Sequence, residues 1–472
     1  MIIPRPRQQK AIDDLRSAYR RGFKAPILIA PTGFGKSATA ICMIHSAIEK
    51  GNRVWFIAHL KEILNDTSNR LSDAGIEHGW IAAGRDGNHR LPVQVAMVQT
   101  LVRRLDRYTP PDLIIVDEAH LAVANTYQQI FEWAGAGPKF KRPGGTRLLH
   151  LTASPCRLDG RGMGEVADLL VPTCGTQDLI DEGLLAPIRY YAPSEPDLSG
   201  VHTVAGDFNQ GELAAAMDKP VITGSAVTHY RKLAHGRPAV AFCVTVEHAT
   251  NVAEQFRQAG YRAVAISGDS DTVERDAALQ GLRDGSLDVV CNCALWVAGV
   301  DAPSIGCIIQ LAPTQSVVKY LQSVGRGLRT HPGKEDCIIL DHAGNVKRHG
   351  LPTQPREWTL AAVEKRKGAK KSEVPVKTCP VCFATVPSIV TDCSCGHHFE
   401  PAGREIEEVD GELQEITAEA KAAAIKARKL EQGRSQTEAD LIRIGRARGM
   451  KRPELWARHV LRARAAKEAQ RR

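Results

Sequence analysis

Short, nearly continuous apolar runs alternate with amphipathic stretches over about the first 185 residues. Ala25–Ala30, Val54–Ala58, Val93–Val98, Leu113–Val116 and Leu148–Leu151 read as strands, and Ala38–Lys50 has helical spacing. Strands that are apolar on both faces and separated by helices predict a parallel sheet covered on both sides. The same rhythm restarts with Ala239–Val244, Ala263–Ile266, Asp288–Cys291, Ile305–Ile309 and Cys337–Leu340, which predicts a second α/β domain of similar size. Tyr191–Gly211, rich in Pro, Gly and Ser, reads as the connector between them.

The pattern changes after Asp341. Lys365–Lys371 is a basic run of linker character, 377–400 holds four closely spaced cysteines, and from Pro401 onward Ala, Glu, Lys and Arg predict a helical tail. At 472 residues the chain has room for roughly two to four domains. A composition of 43% hydrophobic and 24% charged residues is that of a folded, water-soluble chain. The formal net charge is +9, and from Gly433 to the end twelve basic residues face four acidic ones, so most of the excess sits in the tail. This permits a polyanionic partner. No apolar run reaches the roughly 18 residues that span a bilayer, and the start lacks the apolar segment of a secretory signal. The expectation is a reducing cytoplasm, where eight of the 12 cysteines are scattered thiols and the other four form a metal-type cluster.

The strongest local chemistry is Ala30-Pro31-Thr32-Gly33-Phe34-Gly35-Lys36-Ser37, between a strand and a helix. It fits the phosphate-binding pattern G-x-x-x-x-G-K-[ST], with Ala in the first glycine position. Glycines let the backbone turn its N–H groups toward phosphates, Lys36 is placed to reach the β/γ-phosphates, and Ser37 to ligate Mg²⁺. Downstream, the strand Leu113–Val116 delivers Asp117-Glu118-Ala119-His120 at its carboxyl end, where parallel sheets bind ligands. Phosphoryl transfer to water needs a carboxylate on Mg²⁺, a role that suits Asp117, and a group that positions or deprotonates the water, which suits Glu118.

With these residues the chain resembles the superfamily 2 helicases and translocases, in the DEAH-box group that includes restriction-enzyme motors and excision-repair helicases. The resemblance covers most of residues 4–345. Arg5-Pro6-Arg7-Gln8 resembles the adenine-reading glutamine motif, with Gln8 as reader and Thr32 to Ser37 as the nucleotide cradle. Ile57–Glu62, with His59, is similar to motif Ia, and Gln99-Thr100-Leu101 to the neighbouring strand-contact motif; Thr245 is grouped with these nucleic-acid contacts. Leu151-Thr152-Ala153-Ser154-Pro155 resembles motif III, and Gly299–Pro303, with Gly299 and Asp301 on the nucleotide side, resembles the end of motif V. Gln322–Arg329 is similar to motif VI.

Two arginines three residues apart on a helix project from one face, and an arginine from a second domain can neutralise charge on the γ-phosphate. Arg326 and Arg329 are the candidates. The resemblance implies two tandem RecA-like domains, coupling roles for His120, Thr152, Ser154 and Gln322, and stepping along one strand as ATP closes and opens the cleft. Motif V departs from the family: Cys293, Ala294 and Ala298 stand where Thr, Asp and Glu are common. Cys291-Asn292-Cys293 reads as strand-end core rather than metal site.

Cys379-Pro-Val-Cys382 and Cys393-Ser-Cys395-Gly-His397-His398 resemble two knuckles of a zinc ribbon. Thiolates at such spacing can converge tetrahedrally on Zn²⁺. Because the second knuckle is C-x-C, the fourth ligand is Cys393, His397 or His398; Cys379, Cys382, Cys393 and Cys395 are the preferred set. The tail arginines either contact phosphates or form a solvated helix face.

The sequence therefore leads to these expectations: RecA-like domains at 1–190 and 216–350, a connector at 191–215, a basic linker at 351–376, a zinc ribbon at 377–400 and a basic tail at 401–472. The cofactors are ATP, Mg²⁺ and Zn²⁺, and the activity is an ATP-dependent DNA helicase or translocase. The alternatives are an RNA helicase with the same motor and a non-motor nucleic-acid-binding adaptor.

Overall fold

The computed structural model describes residues 3–85, 87–140, 145–156, 162–192, 196–204, 206–293, 295–296, 302–361 and 376–399, with scattered positions between 435 and 461. Gly299, Asp301, the basic run 365–371 and most of the tail, including Trp456, lie outside the described residues. The chain divides into two compact units, Met1–Glu400 and Pro401–Arg472.

The larger unit begins with α1 (Pro6–Arg20), β1 (Pro26–Ile29), α2 (Lys36–Ile48), β2 (Val54–Ala58), α3 (Lys61–Asp73), β3 (Gly79–Ile81), β4 (Val93–Met97), α4 (Val98–Leu101), β5 (Leu113–Val116), α5 (Asn125–Ala134), β6 (Arg147–Thr152) and β7 (Leu169–Pro172). The seven strands form one sheet in the order β3-β4-β2-β5-β6-β1-β7, with every pairing parallel. Alternation along each strand assigns its two faces to different layers. Leu28, Phe56, Val95, Ile115 and Leu149 pack with α1, α2 and α3, while Ile27, Trp55, Ile57, Ile114 and Leu148 pack with α5.

After α6 (Thr176–Asp181), β8 (Ile188–Tyr191) enters a second sheet, so the polypeptide leaves the first sheet after β7, ahead of the boundary expected near 190. A hairpin of β9 (Thr203–Val204) and β10 (Asp207–Phe208), then α7 (Gln210–Met217) and α8 (Pro220–Leu233), lead into β11 (Ala239–Cys243), α9 (Val246–Gln258), β12 (Ala263–Ile266), α10 (Thr272–Asp284), β13 (Val289–Cys293), β14 (Cys307–Gln310), α11 (Val317–Gly327), β15 (Cys337–Asp341) and α12 (Asn345–His349). This sheet is also parallel throughout, in the order β12-β13-β11-β14-β15-β8. The fold is α/β with two tandem RecA-like domains.

Strand β8 was not visible in the apolar pattern because it is a short edge strand interrupted by the exposed Arg189, with only Tyr190 and Tyr191 buried. The stretch expected to connect the two domains carries elements of its own. Leu213 and Met217 bury against Val244, with Leu198, Val201 and Phe208 around them.

One apolar core runs through both domains: Leu15, Phe34, Leu179 and Leu185 continue into Tyr190, Tyr320, Val324 and Leu328. After α12 the chain crosses back. Leu351 belongs to this shared core, whereas Trp358 and Leu360 pack on the α5 side of the first sheet, where the Leu360 carbonyl accepts from the Gly164 amide at 3.1 Å. β16 (Val376–Thr378) and β17 (Thr385–Pro387) form an antiparallel pair in the cysteine segment. Tyr191 of β8 bridges Ala384 beside it, so the cysteine segment covers part of that sheet edge. In the smaller unit, α13 (Glu438–Ala447) buries Leu441 with Ala457 and Val460. Among the described residues, no helix is long and apolar enough to cross a membrane.

Candidate nucleotide site in the interdomain cleft

The loop between β1 and α2 curls because Gly33 (φ 88°) and Gly35 (φ 94°) adopt left-handed conformations that side chains with a Cβ rarely take. A Cβ at Gly33 would also collide with Leu185, and one at Gly35 with Gln8. The turn opens the amino end of α2, where Lys36 and Ser37 begin the helix. Lys36 Nζ donates to the Ala30 carbonyl at 3.2 Å. Gln8 is buried against the loop: its Nε2 donates to the Phe34 carbonyl at 2.8 Å, and its Oε1 accepts from the Arg5 amide at 2.9 Å. The glutamine thus ties α1 to the phosphate loop. A pocket of about 240 Å³ opens beside it, lined by Pro6, Phe34, Leu179 and Leu184, with Arg7 paired to Glu182 at the rim. Its apolar walls and polar edge suit a nucleotide base.

At the end of β5, Glu118 takes a left-handed conformation (φ 51°), unusual for a residue with a side chain. Its amide donates to Asp117 Oδ1 at 3.0 Å. Burial, reinforced by the Glu118 charge and opposed by Lys36, pushes the Asp117 carboxyl up to about 6. A half-buried carboxylate in the field of a lysine and next to a second acid fits a divalent cation, which would restore its charge. Asp117 and Ser37 could hold Mg²⁺ here, and such an ion would neutralise phosphate charge. His120 Nδ1 lies 3.4 Å from Glu118 Oε2, yet neither atom makes a hydrogen bond among the described residues. Burial pushes His120 down to about 4, so the imidazole is neutral at pH 7.

The second domain completes this site from α11. Gln322 Nε2 donates to Glu118 Oε1 at 3.0 Å, across 204 residues of sequence. Gly325 faces the phosphate loop so closely that a Cβ there would lie 2.9 Å from Thr32 Cβ and Oγ1. Arg326, one residue on, is desolvated and lies in the field of Glu118. Arg329 is also desolvated, but its neighbouring charges are Arg70 and Asp66 of α3, and its backbone bridges Leu185. The two arginines therefore occupy different surroundings, and only Arg326 is influenced by Glu118.

The motif III residues form a closed local unit. Thr152 Oγ1 accepts from the Ser154 amide at 3.1 Å and donates to the Ser154 carbonyl at 3.2 Å, while Ser154 Oγ is buried without a partner among the described residues. Beyond Glu118 the cleft widens into a cavity of about 750 Å³ between the domains, lined by His59, His120 and Cys156 on one side and Val244, Lys319 and Gln322 on the other. Burial and then His120 lower the His59 pKa. Gln99 Nε2 donates to the His59 carbonyl at 3.3 Å, so the carboxyl ends of β2 and β4 are tied together, and Thr100 follows in α4. Thr245 lies at the carboxyl end of β11, where its hydroxyl caps α9 by accepting from the His248 amide at 3.1 Å.

The partners of these residues come from elements far away in sequence. Glu182 and Leu179 of the base pocket, Leu185 against Gly33 and Asp207 beside α11 have no motif of their own, and nothing local in the sequence marked them.

The four cysteine sulfurs lie within 4.8 Å of one another. Cys379 and Cys395 are 3.7 Å apart, and Cys382 and Cys393 3.4 Å. Tetrahedral Zn²⁺ with Zn–S bonds of about 2.3 Å sets sulfurs roughly 3.8 Å apart, so the cluster fits that ion. His398 is directed elsewhere, its Nδ1 2.7 Å from Asp392 Oδ1, and the His397 ring contacts Phe399. The set with four cysteines is the one whose atoms converge.

A phosphate loop on one RecA-like domain, faced by a glutamine and a half-buried arginine from a second, defines a nucleic-acid-dependent ATPase of the helicase class. Residues 1–157 match the family described as type III restriction enzyme, res subunit, and residues 224–331 match the helicase conserved C-terminal domain. A 51.5 kDa protein of a Lactococcus phage (isolate 7-9) is 31% identical over 373 residues, covering 78% of this chain and 77% of that protein. IRC3 of Saccharomyces cerevisiae, described as a candidate ATP-dependent helicase, is 29% identical over 362 residues, covering 72% of this chain and 52% of that one. The EcoKI type I restriction endonuclease subunit of Escherichia coli is 24% identical over 390 residues, with 69% and 33% covered. The chain thus spans about half of the yeast protein and a third of the EcoKI subunit. The fold is shared with a fragment of an HsdR subunit from Vibrio vulnificus YJ016, at a TM-score of 0.57, 22% identity and coverage of 74% and 65%. The chain belongs to the superfamily 2 helicases.

Proposed function

We propose that this protein is an ATP-driven DNA translocase or helicase of the DEAH-box group, whose cleft cycles between closed and open states as ATP binds and is hydrolysed. The observation that carries the reading is the contact between Gln322 and Glu118 at 3.0 Å, with Arg326 adjacent and Gly325 against Thr32. Such a site exists only while the domains are together, so hydrolysis and domain movement are linked. In this reading Lys36 binds the β/γ-phosphates, and Glu118 orients the attacking water from a position held by Gln322. Arg326 stabilises charge as the terminal bond breaks, and Arg329 assists closure through α3. Gln8 lines the base pocket. Gly299 and Asp301 complete the nucleotide side, and His59, Gln99, Thr100 and Thr245 contact the nucleic acid at the carboxyl edges of the two sheets. His120, Thr152 and Ser154 link the two sites.

DNA is favoured as the track because the EcoKI relative is a restriction endonuclease subunit. Zn²⁺ on Cys379, Cys382, Cys393 and Cys395 holds a small module at 377–400, and the basic tail at 401–472 adds phosphate contacts. The test is ATP turnover without nucleic acid, then with single-stranded DNA, duplex DNA and RNA, each across a salt series. Stimulation by DNA alone supports the proposal. Equal stimulation by RNA turns the reading to an RNA remodeller, and no turnover from folded, zinc-loaded protein overturns the motor.

A further inference from the structure

The β9–β10 hairpin lies outside both sheets, in the stretch that the sequence marks as connector. Its Asp207 reaches into the start of α11. The carboxylate accepts from the Gln315 amide at 2.7 Å, from Thr314 Oγ1 at 2.9 Å and from Lys319 Nζ at 2.9 Å. Ser316 caps the same helix by accepting from the Lys319 amide at 3.2 Å. Three donors from the residues before and within the first turn, converging on one carboxylate, fix the helix both along its axis and about it. Burial opposes the charge on Asp207, but the Gln315 amide and Lys319 outweigh it and keep the carboxyl below its ordinary value. One turn after Lys319, the helix presents Gln322 to Glu118, and another turn on it presents Arg326.

We infer that Asp207 is a positioning residue for ATP hydrolysis, holding α11 in the register that brings Gln322 and Arg326 to Glu118. The inference rests on the reading of Glu118 and Gln322 as parts of the hydrolytic site. Asp207 and Phe208 also line the 750 Å³ cavity opposite His59. A load on the hairpin from that side therefore reaches the hydrolytic carboxylate through a single helix. ATP itself is held by the phosphate loop and the Gln8 pocket, which Asp207 does not touch.

The test compares Asp207→Ala and Asp207→Asn with the parent chain in nucleic-acid-stimulated ATP turnover. Expected is a fall in kcat of roughly tenfold or more for Asp207→Ala, with KM for ATP within about twofold, because a misplaced transition-state group costs kcat rather than binding. Asp207→Asn keeps one acceptor oxygen and falls between. In a Gln322→Ala background, Asp207→Ala costs less than it does in the parent chain, because only Arg326 is then left to position. An unchanged kcat, or a full multiplicative loss in the Gln322→Ala background, overturns the inference. Hydrogen exchange without nucleotide separates this from failure of the motor reading. Asp207→Ala should speed exchange over 315–322 while β11 and β14 keep their protection, and unchanged exchange there overturns the placement whether or not the chain turns over ATP.

Discussion

Gly325→Ala tests the closed cleft with a single methyl group. The new Cβ would lie 2.9 Å from Thr32 Cβ and Oγ1 and 3.1 Å from Thr32 Cγ2. Carbon contacts are comfortable at roughly 3.5–4.0 Å, so the two surfaces must part by about half to one ångström. Thr32 cannot easily yield, because its side chain is β-branched and it sits in the tight loop before Gly33. The Gln322–Glu118 bond, 3.0 Å long one turn earlier on the same helix, would lengthen past useful range. Overpacking of this kind costs about 1–3 kcal/mol, or about a 5- to 150-fold loss of the closed state.

A competing effect has the opposite sign. Position 325 is helical, and Ala in place of Gly favours a helix by about 0.5–1 kcal/mol. That gain is present whether the cleft is open or closed, so it cancels from the closing equilibrium and appears only in the stability of the second domain. The expected outcome is therefore divergent: ATP turnover at saturating nucleic acid falls at least fivefold, while the thermal unfolding temperature holds or rises. Turnover within about twofold of the parent would refute the argument, because the closed geometry would then not be the one that hydrolyses ATP.

Glu118→Gln should still bind ATP, measured by retention of a fluorescent analogue, but turn over at least a hundredfold more slowly, the scale on which a lost catalytic base acts; Lys36→Ala should lose turnover while DNA retention persists. Purified protein should carry about one zinc per chain by metal analysis, and Cys382→Ser should release it and lower the unfolding temperature. A further expectation concerns pH in metal-free protein. Folded Asp117 keeps its proton up to about 6 whereas the unfolded chain releases it near 3.8, so this group withdraws stability as pH rises through that window. Mg²⁺ binding requires the ionised form, so the increase in unfolding temperature on adding Mg²⁺ should shrink as pH falls below 6, and a shift independent of pH would remove Asp117 from the metal site.

How much was legible depended on how far each feature reached along the chain. The ten strands expected from apolar runs are all present, because a strand buried on both faces must be apolar at every position, whatever surrounds it. β8 escaped because Arg189 breaks the run at a sheet edge, β3 has only three residues, and β7 is an edge strand in which only Val171 is buried. The cysteine spacing alone left Cys393, His397 and His398 open as the fourth ligand. Folding pairs His398 with Asp392 and brings the four cysteine sulfurs within 4.8 Å of one another.

The amino-acid sequence by itself determined the local machinery: a phosphate loop from glycines and a lysine within eight residues, two acids at the end of a strand, and an amphipathic helix with Gln322 and Arg326 on it. These are settled by bond geometry and helical period over a few residues. Only the tertiary structure decided which groups meet. Gln322 reaches Glu118, Gly325 approaches Thr32, Asp207 holds the first turn of α11, and Arg326 rather than Arg329 shares the field of Glu118. Each of those contacts closes a loop of a hundred residues or more, apart from the choice between the two arginines, which the same closure makes. No local preference encodes such a closure. It exists because two sheets and one continuous apolar core hold the domains in register.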